Sequence, residues 1–155
     1  MYSKVVVPLD GTDAAERVIA EVKHFLVPGG VIHLLQVMRP SDADGPVQYI
    51  RPPREAFGRH LRYGVALVRW HSCTARVVSS VVSNRSVSDG ILRYAESVAA
   101  DLVAMYTRSH PHSATPSRRF IAVDVRVKAP MDVLVLEEAD LMPAAANTSV
   151  WTGRQ

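Results

Sequence analysis

Apolar residues follow two spacings along this chain, and each spacing predicts one kind of secondary structure. Short, nearly continuous runs rich in valine are typical of parallel strands that are buried on both faces of a sheet. Five such runs predict strands at residues 4–9, 31–37, 75–82, 101–106 and 131–137.

Between the strands, apolar residues recur every three or four positions, which is the spacing of one helix face. The first helix is expected to end at Pro28-Gly29-Gly30, the second spans about 54–71, and Ser86 or Ser88 opens the third. The apolar faces of these helices contain Ala15, Val18, Ile19, Val22, Phe25 and Leu26, then Phe57, Leu61, Val65 and Val68, then Ile91, Leu92, Ala95 and Val98.

The segment 117–128 gives two conflicting signals. Its valines and Ile121 alternate with polar or small residues, and this period of two indicates a strand. Thr115-Pro116, in contrast, places a capping hydroxyl before a proline in the first helical position, which indicates the start of a helix. We predict the helix on the strength of that start signal.

Strands that alternate with helices predict right-handed βαβ units, in which a parallel sheet carries helices on both faces. The predicted fold class is therefore α/β, with one doubly wound domain. In such sheets ligands bind beyond the carboxyl ends of the strands, where the strand order reverses. Here that rule places residues 10–12, 37–39 and 107–119 around one cleft.

Composition limits the class of protein. With 155 residues, of which 48% are hydrophobic and 21% charged, the chain is expected to form one ordinary globular domain. No apolar run reaches the roughly 18 residues of a membrane span, and the N-terminus enters a strand pattern without a signal-peptide core. The single cysteine, Cys73, excludes an internal disulfide framework and fits a reducing compartment. We expect a cytoplasmic protein with no membrane partner.

Positive charge is concentrated between Arg51 and Arg76. Six arginines lie in this stretch against one acid, Glu55, although the net charge of the whole chain is only +3. A basic helix of this kind can face nucleic acid or an acidic partner, or it can be a solvated helix face. We favour the solvated face and expect no nucleic acid binding, because the sequence contains no nucleic-acid-binding motif.

Three separated segments resemble the universal stress protein family, in the order and spacing of that family. They are KVVVPLDGTDAAERVI, SDGILRYAESVAADLVAMYT and KAPMDVLVLE. The resemblance covers residues 1–138 and implies one domain with a five-stranded parallel sheet in the order 3-2-1-4-5. It also implies a homodimer in which the edge strand 131–137 pairs with its twin across a two-fold axis. Residues 139–155 are expected to form a flexible C-terminal tail.

ATP-binding members of the family carry Gly-x-x-Gly, nine further residues, and then Gly-Ser or Gly-Thr. Aligned without gaps, those positions fall here on Tyr106, Ser109, Arg119 and Phe120. Glycines let backbone N–H groups approach phosphates closely, whereas a Cβ and a large side chain obstruct that approach. The chain is therefore expected to have lost the family's ATP-binding loop.

What remains is a vestigial nucleotide cleft. In nucleotide-binding members the aspartate that matches Asp10 contacts the adenine end, and residues near Val37 pack beside it; an aspartate at this place can equally have only a structural role in the turn. The basic residues near the start of the fourth helix either grip a phosphate or form a solvated helix start, which we favour. The candidate ligand-binding residues are Pro8, Asp10, Val37, Thr107, Arg108, Ser109, Ser117, Arg118 and Arg119.

The sequence offers no catalytic or metal site. His110 and His112 have no third ligand nearby, and no Ser-His-Asp or paired-carboxylate arrangement emerges. We therefore expect a non-enzymatic stress or regulatory dimer that has no cofactor and does not bind ATP. The alternative is a module that binds a nucleotide or another anion weakly through Asp10 and the arginine-rich loop 107–119. An enzyme acting on phosphorylated substrates stays open on fold grounds alone.

Overall fold

The computed structural model describes residues 1–10, 13–39, 54–71, 74–107, 117–137 and 150–151. In these ranges strands and helices alternate as β1 (Tyr2–Pro8), α1 (Asp13–Val22), β2 (Leu26–Met38), α2 (Arg54–His71), β3 (Arg76–Ser83), α3 (Val87–Ser97), β4 (Leu102–Thr107), α4 (Ser117–Lys128), β5 (Asp132–Glu137) and β6 (Val150–Trp151). The sheet order is β3-β2-β1-β4-β5-β6. Strands β1 to β5 are parallel, which confirms the predicted α/β fold and the order 3-2-1-4-5.

Apolar clusters cover both faces of the sheet. Val5 and Val7 belong to a cluster that also contains residues of α1 and α2, whereas Val6 belongs to a second cluster with residues of α3 and α4. Successive side chains of a strand point to opposite faces, so a central strand buried on both faces needs apolar residues at every position. This requirement is the physical reason why the buried centre of β1, Val5 to Val7, is a run of valines.

The helices follow their sequence signals with one exception. Ser86 is the N-terminal cap of α3, because its hydroxyl accepts a hydrogen bond from the backbone N–H of Asp89. The segment 117–128 is a helix, as predicted; Ala122 and Val125 are buried while the alternating Val123 is exposed. None of the helices in the ranges given above is long and apolar enough to cross a membrane.

The exception is the end of α1, where the prediction was wrong. The helix ends at Val22, and Pro28-Gly29-Gly30 lies instead in the first part of β2. Tyr2 of β1 pairs with Leu26, but Lys4 already pairs with Val31, so extra residues of β2 bulge out of register at this point. Gly29 has a φ of 77°, a conformation that favours glycine, and this permits the irregular strand.

A hydrogen-bonded clamp joins the amino ends of β1 and β4. The carboxylate of Asp101 accepts hydrogen bonds from the backbone N–H of Ser3 at 2.7 Å, from the Ser3 hydroxyl at 2.8 Å and from the backbone N–H of Lys4 at 2.8 Å. Burial acts to raise the pKa of Asp101, but these hydrogen bonds together lower it. The clamp therefore stabilises the ionised carboxylate and fixes the first residues of the chain.

The sixth strand was not predicted from the sequence. It pairs antiparallel with β5, so that Val133 lies opposite Trp151 and Leu134 lies opposite Val150. The predicted flexible tail, 139–155, otherwise lies outside the described residues. The edge of β5 that was expected to pair with a second copy of the chain is thus occupied at two positions by the chain's own C-terminal segment.

Candidate functional site

Three of the predicted site residues come together at the carboxyl ends of adjacent strands. Pro8 ends β1, Val37 lies near the end of β2, and Thr107 ends β4. Each of the three follows, by two positions in its strand, a residue of the apolar cluster that also contains residues of α3 and α4. Because side chains two positions apart in a strand point to the same face, all three face the α3 and α4 side of the sheet. We call the region beyond these strand ends, on the side of the sheet that α3 and α4 cover, the cleft, because ligands bind beyond the carboxyl ends of strands in doubly wound sheets.

The structure describes the other predicted site residues only in part. Asp10 is exposed just beyond β1, where the backbone N–H of Leu9 donates a 2.7 Å hydrogen bond to the carbonyl of Leu35 and holds the strand end beside β2. Arg108 and Ser109 lie outside the described residues. The backbone of residues 117–119 forms the first turn of α4, while the side chains of Ser117, Arg118 and Arg119 lie outside the described part.

Two buried polar atoms near the cleft have no hydrogen-bond partner within the described part of the chain. They are Oγ1 of Thr107 and Oε1 of Gln36. Thr107 is only 8% exposed and faces the cleft side of the sheet, whereas Gln36 alternates with Val37 and faces the opposite side. A buried hydroxyl without a partner costs free energy, so Thr107 is a place where a ligand or a water molecule would be stabilising.

Gly90 of α3 shapes the same cleft, and sequence reasoning missed it. A Cβ atom at this position would lie 2.8 Å from Cγ1 of Val37 and 3.0 Å from Cβ of Asn84, which is too close for undisturbed packing. The glycine therefore lets α3 approach the end of β2. The available signal was an isolated glycine inside a helical pattern, which often marks such a close approach.

A polar cluster joins the two helices that border the cleft. The Ser88 hydroxyl donates a hydrogen bond to the carboxylate of Asp124, and the Lys128 ammonium lies 3.0 Å from the same carboxylate and 3.5 Å from that of Asp89. The hydrogen bonds from Ser88 and Lys128 lower the pKa of Asp124. These contacts tie α4 to α3, and the carboxylate of Asp124 is already engaged in them.

Comparison with known proteins identifies the family of this chain. A model of the universal stress protein family matches residues 1–137. The chain belongs to the universal stress protein family. No curated protein sequence is significantly similar to it.

Solved structures of universal stress proteins share the fold at low sequence identity. One, in complex with cAMP, is 17% identical with a TM-score of 0.63, and the match covers 88% of this chain and 97% of that one. A second, from Archaeoglobus fulgidus in complex with dAMP, is 20% identical with a TM-score of 0.62 and coverages of 86% and 97%. A third, from Burkholderia pseudomallei, is 19% identical with a TM-score of 0.63 and coverages of 87% and 96%.

In this universal stress protein, three of the four positions on which an ungapped alignment puts the family's glycine motif lie in regular backbone. Tyr106 is in β4, pairs with Leu136 of β5 and packs against the cluster beneath α1 and α2. Arg119 and Phe120 belong to the start of α4, and Phe120 is exposed. In the described ranges, no three His, Cys, Asp or Glu side chains are grouped so that they can hold a metal ion.

Proposed function

We propose that this universal stress protein is a non-enzymatic, cytoplasmic regulator that acts as a homodimer and does not hold ATP through a glycine loop. One observation supports the proposal: large residues on strand or helix backbone stand where an ungapped alignment puts the family's motif. Tyr106 and Arg119 fall on two of its glycines, and Phe120 falls on the serine or threonine that follows. Tyr106 extends β4 as a core-packed strand residue, and Phe120 continues α4. A phosphate group at Tyr106 would meet a large side chain and the hydrogen-bonded backbone of a strand, and at Arg119 and Phe120 it would meet large side chains.

The absence of catalysis is part of the proposal. The buried hydroxyl in the cleft belongs to Thr107, and its Oγ1 has no hydrogen-bond partner among the described residues. A hydroxyl without an adjacent base is a weak nucleophile, because nothing removes its proton as it attacks. The Asp124 carboxylate, which is the acidic group between α3 and α4, is held by Ser88 and Lys128.

A second function, the binding of a mononucleotide or another small anion, is favoured by one specific feature. The unpartnered hydroxyl of Thr107 lies at the end of β4, on the same face as Pro8 and Val37. Two solved relatives are complexes with cAMP and dAMP, ligands that carry one phosphate group. A single phosphate needs fewer backbone contacts than a triphosphate. A ligand with one phosphate group could therefore bind without the glycine loop that a triphosphate uses.

Titration calorimetry at low salt with Mg-ATP, cAMP and dAMP separates the two functions. The main proposal expects no measurable heat with Mg-ATP. It also expects at least partial binding of Mg-ATP by a variant that combines Tyr106→Gly, Ser109→Gly, Arg119→Gly and Phe120→Ser. Because Tyr106 packs against the core, the melting temperature of that variant must first show that it is folded.

Binding of Mg-ATP by the natural chain at micromolar concentration would contradict the main proposal. Loss of that binding in Asp10→Ala, with retention in the exposed control Glu96→Ala, would assign it to the cleft. Binding of cAMP or dAMP without binding of Mg-ATP would support the second function.

A further inference from the structure

A cavity of about 630 Å³ lies at the amino ends of the strands, at the opposite end of the sheet from the cleft. Its polar lining comes from Lys4 of β1, His33 of β2, Arg69 of α2 and Arg76 of β3. The rest of its lining is apolar and consists of five valines and one alanine. Small-molecule sites in proteins have volumes of about 300–1,000 Å³, so the cavity is large enough for a small organic ligand.

The charged side chains that the structure describes in the cavity lining are all positive. Lys4, Arg69 and Arg76 contribute three cations, and none of the described lining residues is acidic. The Lys4 ammonium donates a 3.0 Å hydrogen bond to the carbonyl of Val98, but neither arginine forms a hydrogen bond or ion pair with any residue that the structure describes. Cations left without partners around one space attract an oxyanion, and guanidinium groups bind phosphate or carboxylate with two parallel hydrogen bonds.

A partly buried hydrogen-bond network holds His33, which lines one wall of the cavity. Nδ1 of His33 lies 3.1 Å from the hydroxyl of Tyr94, which in turn lies 2.7 Å from the hydroxyl of Ser80. Because Nδ1 is engaged in this network, Nε2 is the ring nitrogen that stays available to a ligand. Burial first, and then the positive charge of Lys4, lowers the pKa of His33, so the ring stays neutral beside the cations.

We propose that this cavity binds a small amphipathic anion, with a phosphate or carboxylate head held by cations of the lining and an apolar body against its valines. Both halves of the ligand are required by the lining, since the cations alone would attract any anion and the valines alone would attract any apolar molecule. The site uses none of the residues of the strand-end cleft, so it is independent of whether that cleft binds a nucleotide.

Hexyl phosphate and hexanoate are suitable probes, and the two distinguish the phosphate head from the carboxylate head. Inorganic phosphate and hexanol present the charged and the apolar half alone. We expect at least one of the two amphipathic probes to bind at least about tenfold more tightly than inorganic phosphate, since burying two methylene groups already gives about that factor. Binding should also move the NMR resonances of the His33 ring. The proposal is wrong if neither amphipathic probe binds at millimolar concentration or if the His33 resonances do not respond.

Matched variants locate the binding. Arg69→Gln combined with Arg76→Gln should weaken it at least about tenfold, because two charge-assisted contacts are lost. The control, Arg85→Gln combined with Arg93→Gln, removes the same charge from exposed positions outside the lining and should change affinity by less than about twofold. All four arginines are exposed, so the fold should survive.

Ala75→Leu tests the cavity itself, because it fills part of the space without changing the charge. We expect it to weaken the binding of the amphipathic probe more than the binding of inorganic phosphate. Equal losses in the two arginine pairs would overturn the proposal in favour of general surface charge. Unchanged affinity in Ala75→Leu would show that the ligand lies elsewhere.

Discussion

Leu134 of β5 lies opposite Val150 of β6 in an antiparallel pair on the outer edge of the parallel sheet. That edge is the one at which a twin strand would pair in the proposed homodimer. A strand edge offers each backbone group to one neighbour at a time, so β6 and a second copy of the chain compete for the same positions. The family match ends at residue 137, which places β6 in a segment that the family model does not include.

Truncation after Asp140 removes β6 and frees the edge of β5. We expect the truncated chain to dimerise more tightly than the full chain in sedimentation experiments at micromolar concentration. Its melting temperature should stay within a few degrees, since β6 contributes only two paired residues. A truncated chain that is more monomeric than the full chain would show that the C-terminal segment promotes association, and a large loss of stability would show that Trp151 is packed.

A substitution at Leu134 does not test the dimer. Leu134 is fully buried in the cluster beneath α1 and α2, so Leu134→Lys would place a charge in the core and unfold the domain. Truncation, which leaves β5 intact, is the variant that separates association from folding.

Thr107→Val replaces the buried hydroxyl that has no described partner. If the cleft is empty, we expect the free energy of unfolding to stay constant or to rise by up to about 1 kcal/mol, because an unsatisfied polar group is removed. Urea unfolding measures this change, and Thr107→Ser is the control that keeps the hydroxyl. A loss of stability of about 1 kcal/mol or more in Thr107→Val, but not in Thr107→Ser, would indicate that the hydroxyl has a bound partner in solution.

Gly90→Ala should destabilise the protein although alanine is the better helix former. The added Cβ would overlap Val37, whose branched side chain has few alternative rotamers, and overpacking of this kind costs about 1–3 kcal/mol. The helix propensity of alanine offsets about 1 kcal/mol of that cost. The double variant Gly90→Ala with Val37→Ala should be more stable than the sum of the two single changes. Additive effects in the urea unfolding of the four proteins would contradict the close approach of α3 to β2.

The pH dependence of the free energy of unfolding should reveal the titration of His33. Its pKa is lowered in the folded protein by burial and by Lys4, so the unfolded chain binds a proton at a higher pH than the folded chain. The contribution of His33 to stability is therefore complete above about pH 6.5 and decreases as the pH falls below that value, by less than about 1.4 kcal/mol per pH unit. His33→Gln should flatten this part of the profile between about pH 7 and pH 5. An unchanged slope would show that His33 titrates normally.

The sequence by itself determined the order of the elements and most of their bounds. The centre of β1 is a run of three valines because both faces of a central strand are buried there, and α2 spans Arg54–His71 because its apolar residues keep helical spacing. The same reasoning placed Pro8, Val37 and Thr107 at or near the carboxyl ends of their strands. It did not identify the end of α1, because Pro28-Gly29-Gly30 is a local signal for a break and a bulged strand uses the same residues as a helix end.

Only the tertiary structure decided which distant residues meet. Gly90 touches Val37, β6 pairs with β5, and Arg76 joins Lys4 around one cavity, although each of these pairs belongs to separate elements. The spacing of hydrophobic residues shows which face of a single helix or strand is buried. It does not show which other element that face packs against. Contacts between elements depend on the distance and angle at which they pack, and those are set by the whole set of side chains between them.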